Sequence, residues 1–484
     1  MFDRQGIPED LVRDHDQDIL DFHDALIPLL NYSLIRMEIK ERLYDMHRLV
    51  QLSVRAWLEM HLELAGWQEK ARAIMAEMFP NGNFESWNEC QRLLPHAKEV
   101  VKSTFNSLEG VSMNVATILS NCGCYLHHQG ALFDAEAMLR PAFALREKMI
   151  GPEHPYTLAS ANQLGLVLDS QGKYKEAEVI YRQALAIYEK VFGLEHLDTA
   201  SIANNLGYVL DSYGVFEEAE KMYRRGLEVR EKLLGPENLD TINSVNNIGH
   251  LLGKQGKFAM SEAMHRRALK ARKKILGLEH PHTLTSVNNL GTVLQGQGKY
   301  RQAEAMHRQA LAISEKVLGL EHHITANSVN NVGLALDSQG KSEQAEAMHR
   351  RALGALKNLF GREHPLTLTS FSNLGNALDS QGKYEEAEAL HRQTLEAREK
   401  MLGSEHPDTL ININNLGHVL LKQEKYREAE AMYRRALEGF EEVIGREHPD
   451  TLTCVNNLRF VLSRQGKYKE VKAMYQRVLQ LNEI

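Results

Sequence analysis

From about residue 113 to the end, apolar positions recur in steps of three and four, and the whole pattern returns every 42 residues. In "PHTLTSVNNLGTVLQGQG", Leu284, Val287, Leu290, Val293 and Leu294 form one stripe, the signature of an amphipathic helix (helix A). Pro281 sits in a first turn, where its missing N–H costs nothing, and Gly298 follows the last turn as a cap. "KYRQAEAMHRQALAISEKVLG" puts Ala303, Met306, His307, Ala310, Leu311 and Val317 on one face of a second helix (helix B), which Gly319 stops. Gly291 and Ala303 are small residues set against Tyr300 and Leu290, so the two helices can approach closely.

The period is strict. Gly151, Gly193, Gly235, Gly277, Gly319, Gly361, Gly403 and Gly445 form one column, and a second runs from Gly123 through Gly165 and Gly207 to Gly417. A third, from Gly130 to Gly466, is interrupted by Glu424. Eight units span 113–448 and a shortened ninth spans 449–484. No helix pair of this length buries its apolar face alone, so the prediction is an all-α solenoid whose stacked units share one core. The first and last units depart from the pattern. Pro141 falls inside the first helix B and should kink it, while Arg459 and Val471 replace small residues in the ninth.

Leu290, Gly291, Tyr300, Ala303, His307 and Ala310 have the spacing of the tetratricopeptide signature. The 42-residue unit with its "G-x-E-H-P-x-T-L" connector resembles the repeats of kinesin light chains and, more closely, those of fungal NB-ARC/NACHT-tetratricopeptide (NLR-like) proteins. The resemblance implies a right-handed superhelix in which helix A of every unit lines the concave face.

Two adjacent asparagine columns precede the helix-A glycine. One is Asn162, Asn204, Asn246, Asn288, Asn330, Asn414 and Asn456, with serine at 120 and 372. The other is Asn121, Asn205, Asn247, Asn289, Asn331, Asn373, Asn415 and Asn457, with Gln163 in the second unit. Asparagine is a mediocre helix former, so its recurrence calls for a reason. A carboxamide carries two donors and an acceptor and can hold a peptide unit at both its N–H and its C=O. Stacked at solenoid spacing, such a column could follow an extended chain while ignoring its side chains, as the resemblance to O-linked N-acetylglucosamine transferase and kinesin light chains also implies. The same carboxamides could instead bond from unit to unit and fix the stack. One residue past the glycine the units differ, at Tyr208, His250, Thr292, Leu334, Asn376 and His418, where specificity would be set.

Composition narrows the field. The net charge of −7, with acidic residues crowding the start, is no nucleic-acid surface. No apolar run approaches a bilayer span, no secretory leader opens the chain, and four cysteines make no disulfide framework, which points to a cytoplasmic protein. The phosphate-binding, zinc-protease and nucleophile-elbow motifs are absent, so neither catalysis nor a cofactor or metal is expected. "CGC" at 122–124 and the His265, His307, His349 and His391 column, which interchanges with Tyr181, Tyr223, Tyr433 and Tyr475, read as core; the recurring "EHP" reads as a loop-shaping element.

Residues 1–112 are aperiodic. A helix, the hairpin "IRMEIKERLYDMH" and the helix "RLVQLSVRAWLEMHLEL" predict a winged-helix-like region over 1–60, followed by a helical bridge over 61–112 and the array over 113–484. "FDRQGIPEDL", "MHRLVQL" and "LLPHAKEVV" resemble the segment between the nucleotide-binding core and the repeats of fungal NB-ARC-tetratricopeptide proteins. In that family the histidine matched by His47 senses bound nucleotide; here the phosphate loop and ATPase core are missing, which leaves His47 a structural part and suggests a truncated or split relative. The expectation is a protein-interaction scaffold, the sensor half of a fungal NLR-like protein, that binds a protein or extended peptide along helix A. Alternatives are a kinesin-light-chain-like cargo adaptor, against which the lack of an upstream heptad coiled coil counts, and a regulatory subunit of an ATPase supplied in trans.

Overall fold

A computed structural model describes residues 2–3, 5–12, 19–38, 43–82, 86–102 and 112–472. Its first elements are β1 (Ile7–Pro8), α1 (Glu9–Val12), α2 (Ile19–Asn31), β2 (Ile35–Glu38), β3 (Leu43–Met46) and α3 (Arg48–Met60). The expected hairpin is β2–β3, antiparallel with Ile35 opposite Met46 and Glu38 opposite Leu43. This register puts Ile35, Met37, Tyr44 and Met46 on one face and the charges of Arg36, Glu38 and Asp45 on the other. β1 adds a third strand to β3, giving the order β1-β3-β2. Two residues of alternating pattern are too few to predict such a strand. Gly6, at φ +60°, precedes it, and its N–H donates to Asp45 Oδ1 at 2.7 Å.

α4 (Leu64–Met78) and α5 (Trp87–Val101) pack on α6 (Met113–His128), burying Met75, Phe79, Cys90, Leu93, Ala97 and Cys122. Of the "CGC" cysteines Cys122 is core and Cys124 half-buried, and desolvation raises both thiol pKa values, that of Cys124 to about 11. α7 (Leu132–Ile150) holds Pro141 within it. The carbonyl that loses its partner belongs to Ala137, which is exposed, so water can satisfy it.

The remaining helices alternate A and B as predicted: α8 (Pro155–Ser170), α9 (Tyr174–Phe192), α10 (Leu197–Ser212), α11 (Phe216–Leu234), α12 (Leu239–Lys254), α13 (Phe258–Leu276), α14 (Pro281–Gly296), α15 (Tyr300–Val317), α16 (His323–Asp337), α17 (Ser342–Phe360), α18 (Pro365–Ser380), α19 (Tyr384–Leu402), α20 (Pro407–Lys422), α21 (Tyr426–Val443) and α22 (Pro449–Arg464). From α9 to α22 each helix packs on the next. The chain divides into two compact units, Met1–Val167 and Leu168–Ile484.

Close packing inside a unit rests on the helix-A glycine. A Cβ on Gly291 would lie 2.5 Å from the His307 ring, and Gly249, Gly333 and Gly375 face His265, His349 and His391 in the same way. Gly207 and Gly417 face Tyr223 and Tyr433. The bulky partner of Gly291 is thus His307 and not Tyr300, which is 38% exposed.

The connector is a set of local bonds. Gly193, at φ +88°, ends α9 in a conformation that only glycine adopts cheaply, and its carbonyl accepts from Thr199 Oγ1 at 2.9 Å. Histidine then caps the next helix A. Nδ1 of His280 accepts the N–H of His282, and His196, His322, His364, His406 and His448 do the same for theirs. The glutamate pairs across units instead, Glu279 with Lys316 and Glu363 with Lys400. A further clamp lies on helix B: Glu430 is held by Arg434, Gln465 and Lys467, as Glu388 is by Arg392, Gln423 and Lys425.

Candidate functional site: the helix-A stripe

Four positions per helix A, at i, i+4, i+7 and i+11, share one face: Asn243, Asn247, His250 and Lys254 on α12, for example. Their counterparts on α14 and α16 continue the row, and His250, Lys254, Asn289, Thr292, Asn331 and Leu334 line a single open groove of about 530 Å³. Over α10, α12, α14, α16, α18, α20 and α22 the equivalent positions carry three charges, Lys254, Lys422 and Arg464, and no carboxylate. Lys254 is itself neutralised, 3.0 Å from Asp211 Oδ1. The rest are chiefly asparagine, serine and threonine.

The two asparagine columns bond to each other from unit to unit. Nδ2 of Asn247 donates to Asn204 Oδ1 at 3.2 Å, Asn289 to Asn246 at 2.9 Å, Asn373 to Asn330 at 3.0 Å and Asn457 to Asn414 at 3.0 Å. Asn121 donates to the carbonyl of Phe79 at the end of α4, and Gln163 accepts from Ser120.

The first column lies deeper at Asn288 and at its serines, Ser120 and Ser372. Asn288, 6% exposed, donates to Ser328 Oγ at 2.9 Å, while its Oδ1 faces His307 Nδ1 at 3.0 Å. Asn246 and Asn330 face His265 and His349 likewise. Where the column holds Ser372, Asn412 takes over and faces His391 Nδ1 at 3.3 Å. An amide oxygen only accepts, so each of these rings carries a proton on Nδ1, and in the neutral ring it is the only one. Burial holds His265, His307 and His391 in that form, with pKa values lowered to about 4.

Asn162 sits half-buried on α8, and Asn205 and Asn415 half-buried on α10 and α20; Asn456 is exposed on α22. The variable position is outermost: Tyr208 is 49% exposed, His250 is exposed with its ring edge-on to His265, and His418 Nε2 lies 3.5 Å from Asp379 Oδ2. Sequence reasoning missed the buried arginines Arg146, Arg272 and Arg398 and the half-buried Arg230. Arg272 donates to Ser286 Oγ, His282 O and Asn243 Oδ1, tying α13 to α12 and α14. Because that column alternates with other residue types, its period was hidden. His47 caps α3, accepting the N–H of Leu49 at 3.3 Å. Among the described residues, none of the histidines, cysteines and carboxylates cluster as metal ligands, and no helix is long and apolar enough to cross a membrane.

Stacked helix pairs with a continuous polar stripe on helix A define an α-solenoid of repeats. The chain belongs to the tetratricopeptide repeat family, whose model matches residues 114–190, 171–232, 198–274, 240–316, 282–358, 325–400 and 403–483. A nucleotide-binding leucine-rich repeat (NLR)-like protein of Hyaloscypha variabilis is 34% identical over 160 residues, 33% of this chain. The match spans only 16% of that relative's length. Among solved structures, a Podosopora anserina putative kinesin light chain with nearly identical TPR-like repeats is 23% identical, covering 40% of this chain and 92% of its own at a TM-score of 0.36. BtubC (BKLC) from P. vanneervenii is 21% identical, covering 49% and 92%, at a TM-score of 0.39.

Proposed function

We propose that the array is a protein-interaction scaffold that binds an extended, uncharged segment of a partner polypeptide along the helix-A stripe. The observation that carries this reading is the near absence of charge from the stripe in a chain whose residues are 25% charged. Between α10 and α18, where the one stripe charge, Lys254, is already paired with Asp211, a partner charge buried against it would lose its hydration and find no free counter-ion on the stripe, whereas peptide N–H and C=O groups would meet amides and hydroxyls at every unit. Asn205, Asn247, Asn289, Asn331, Asn373, Asn415 and Asn457 supply the repeating contact. Tyr208, His250 and His418 supply the local differences. The Hyaloscypha relative supports placing this scaffold in an NLR-like signalling protein, as the part that senses or regulates.

The test is proximity crosslinking with mass spectrometry, comparing wild type with a variant in which Asn205, Asn247, Asn289 and Asn331 are alanine. Partners should be lost from a variant that is less stable than wild type by the few lost inter-unit bonds but remains folded at the assay temperature. Retention of every partner by a folded variant refutes the reading.

A second reading, an ATPase partner in trans docking on residues 1–60, is favoured by the exposed apolar side chains of α3. Leu49 is 66% exposed and Met60 74%. Co-purification of a nucleotide-hydrolysing polypeptide that is lost on Leu49→Asp and Met60→Asp would support it. Its retention would not.

A further inference from the structure

Within Leu168–Ile484 two distant edges of the array touch. His406 Nε2 lies 2.9 Å from the carbonyl oxygen of Ser170, across 236 residues. A Cβ on Gly172 would stand 2.7 Å from Pro407 Cδ, and one on Gly214 would stand 2.6 Å from His448 Cδ2. The Phe216 and His448 rings are 6.5 Å apart, and Lys175 Nζ donates to the carbonyl of Glu442 at 3.3 Å. Tyr174 packs against the apolar core shared by α20, α21 and α22.

The periodicity supplies an internal control. Gly172 and Gly214 belong to the column that closes every A-to-B turn, and Gly256, Gly298 and Gly340 of that column have nothing within 4 Å. His406 and His448 belong to the helix-A capping column. His406 is 9% exposed, while its twins His280 and His364 are only half-buried. These columns make closely similar local structure along the array, and among their described members Gly172, Gly214, His406 and His448 also meet another edge. Two consecutive turns meet two consecutive caps at nearly the same offset, about 5.6 units along the stack, as a superhelix of equivalent units requires when one turn reaches the next.

We propose that these edges form a clasp, a surface of the array that docks on the array itself and closes one superhelical turn. Its parts are the turns at 170–175 and 213–216 on one side and the caps at 406–408 and 448–450 on the other. The packing is tight because the glycines bring bare backbone against a proline ring and an imidazole. If the stripe binds as proposed above, a closed clasp makes an extended partner enter from an end of the stripe, and an open one admits it sideways. The clasp itself does not depend on that reading.

Paired variants test it. Asparagine tolerates positive φ better than other side chains, and the column already holds Glu424 at φ +62°. Gly172→Asn with Gly214→Asn therefore adds the same backbone strain as Gly298→Asn with Gly340→Asn, and only the first pair invades the clasp. Small-angle X-ray scattering should show a larger maximum dimension for the first pair, and the wild-type value for the second. Identical curves for wild type and both pairs overturn the proposal. His406→Ala and His364→Ala provide an independent measure, since each removes one helix cap. Amide exchange at 170–175 should be about fivefold or more faster in the first and unchanged in the second; equal rates in the two refute the clasp.

Discussion

Three buried histidines should make the array acid-labile between pH 6.5 and about 4. His265, His307 and His391 are at most 1% exposed, each beneath a helix-A glycine. Their folded pKa values of about 4 lie below the ordinary 6.5, chiefly because burial strips water from the charged form. His250 and Arg272 add to this at His265, and Arg398 and His418 at His391. A depressed folded pKa means that stability is complete above pH 6.5 and is lost as the pH falls towards 4, because the unfolded chain takes up protons that the native ring refuses. At pH 5 the loss is about 2 kcal/mol per histidine and about 6 kcal/mol for three sites in separate units, against a typical total of 5–15 kcal/mol.

Tyrosine already fills this slot at Tyr223 and Tyr433 beneath the same glycine, so H265Y/H307Y/H391Y should fold. His349 is left in place because its Nε2 also meets Asp337 Oδ2 at 3.1 Å. The assay is urea unfolding followed by circular dichroism at pH 7 and pH 5. Wild type should lose several kcal/mol more than the variant between the two pH values. His127, also lowered to about 4, and Asp169, raised by burial to about 7 and therefore of opposite sign, contribute equally to both proteins and cancel in the difference. Equal losses in the two proteins would refute the assignment.

Other outcomes follow from the same contacts. Gly291→Ala places a methyl 2.5 Å from the His307 ring and should cost about 1–3 kcal/mol, measured by chemical denaturation. Asn288→Ala strands a buried imidazole and removes the donor to Ser328 Oγ, which keeps only its bond to the Ile324 carbonyl, so it should cost about 2–3 kcal/mol; Asn289→Ala, which loses one half-buried bond, should cost about 1 kcal/mol in the same assay. Hydrogen bonds and cations hold the Glu346, Glu388 and Glu430 carboxyls down at about 2 against the pull of burial. Their contribution is complete above pH 4.5 and disappears as the pH falls towards 2, and a Glu388→Gln/Glu430→Gln variant should show a shallower acid limb in a melting-temperature series below pH 4.5.

The sequence by itself determined the units, the helix pairs, the caps and the core columns, because each depends on residues within one 42-residue period or its neighbour. Periodicity also pointed to the asparagines, since a polar residue repeated in step on an apolar helix needs a partner. Whether that partner was a ligand or the next unit could not be read from spacing. The structure gives the first column its bonds to buried histidines and the second column its bonds to the first, because the relative rotation of stacked helices sets which face of each carboxamide meets protein. The bulky residue opposite each glycine was misassigned at Tyr300 for a related reason: interhelical contact follows side-chain direction, which spacing alone does not give. The meeting of Gly172 and Gly214 with Pro407 and His448 was legible nowhere in the sequence. It arises when a small rotation per unit, summed over more than five units, brings one edge of the stack back to another, and only the assembled tertiary structure performs that sum.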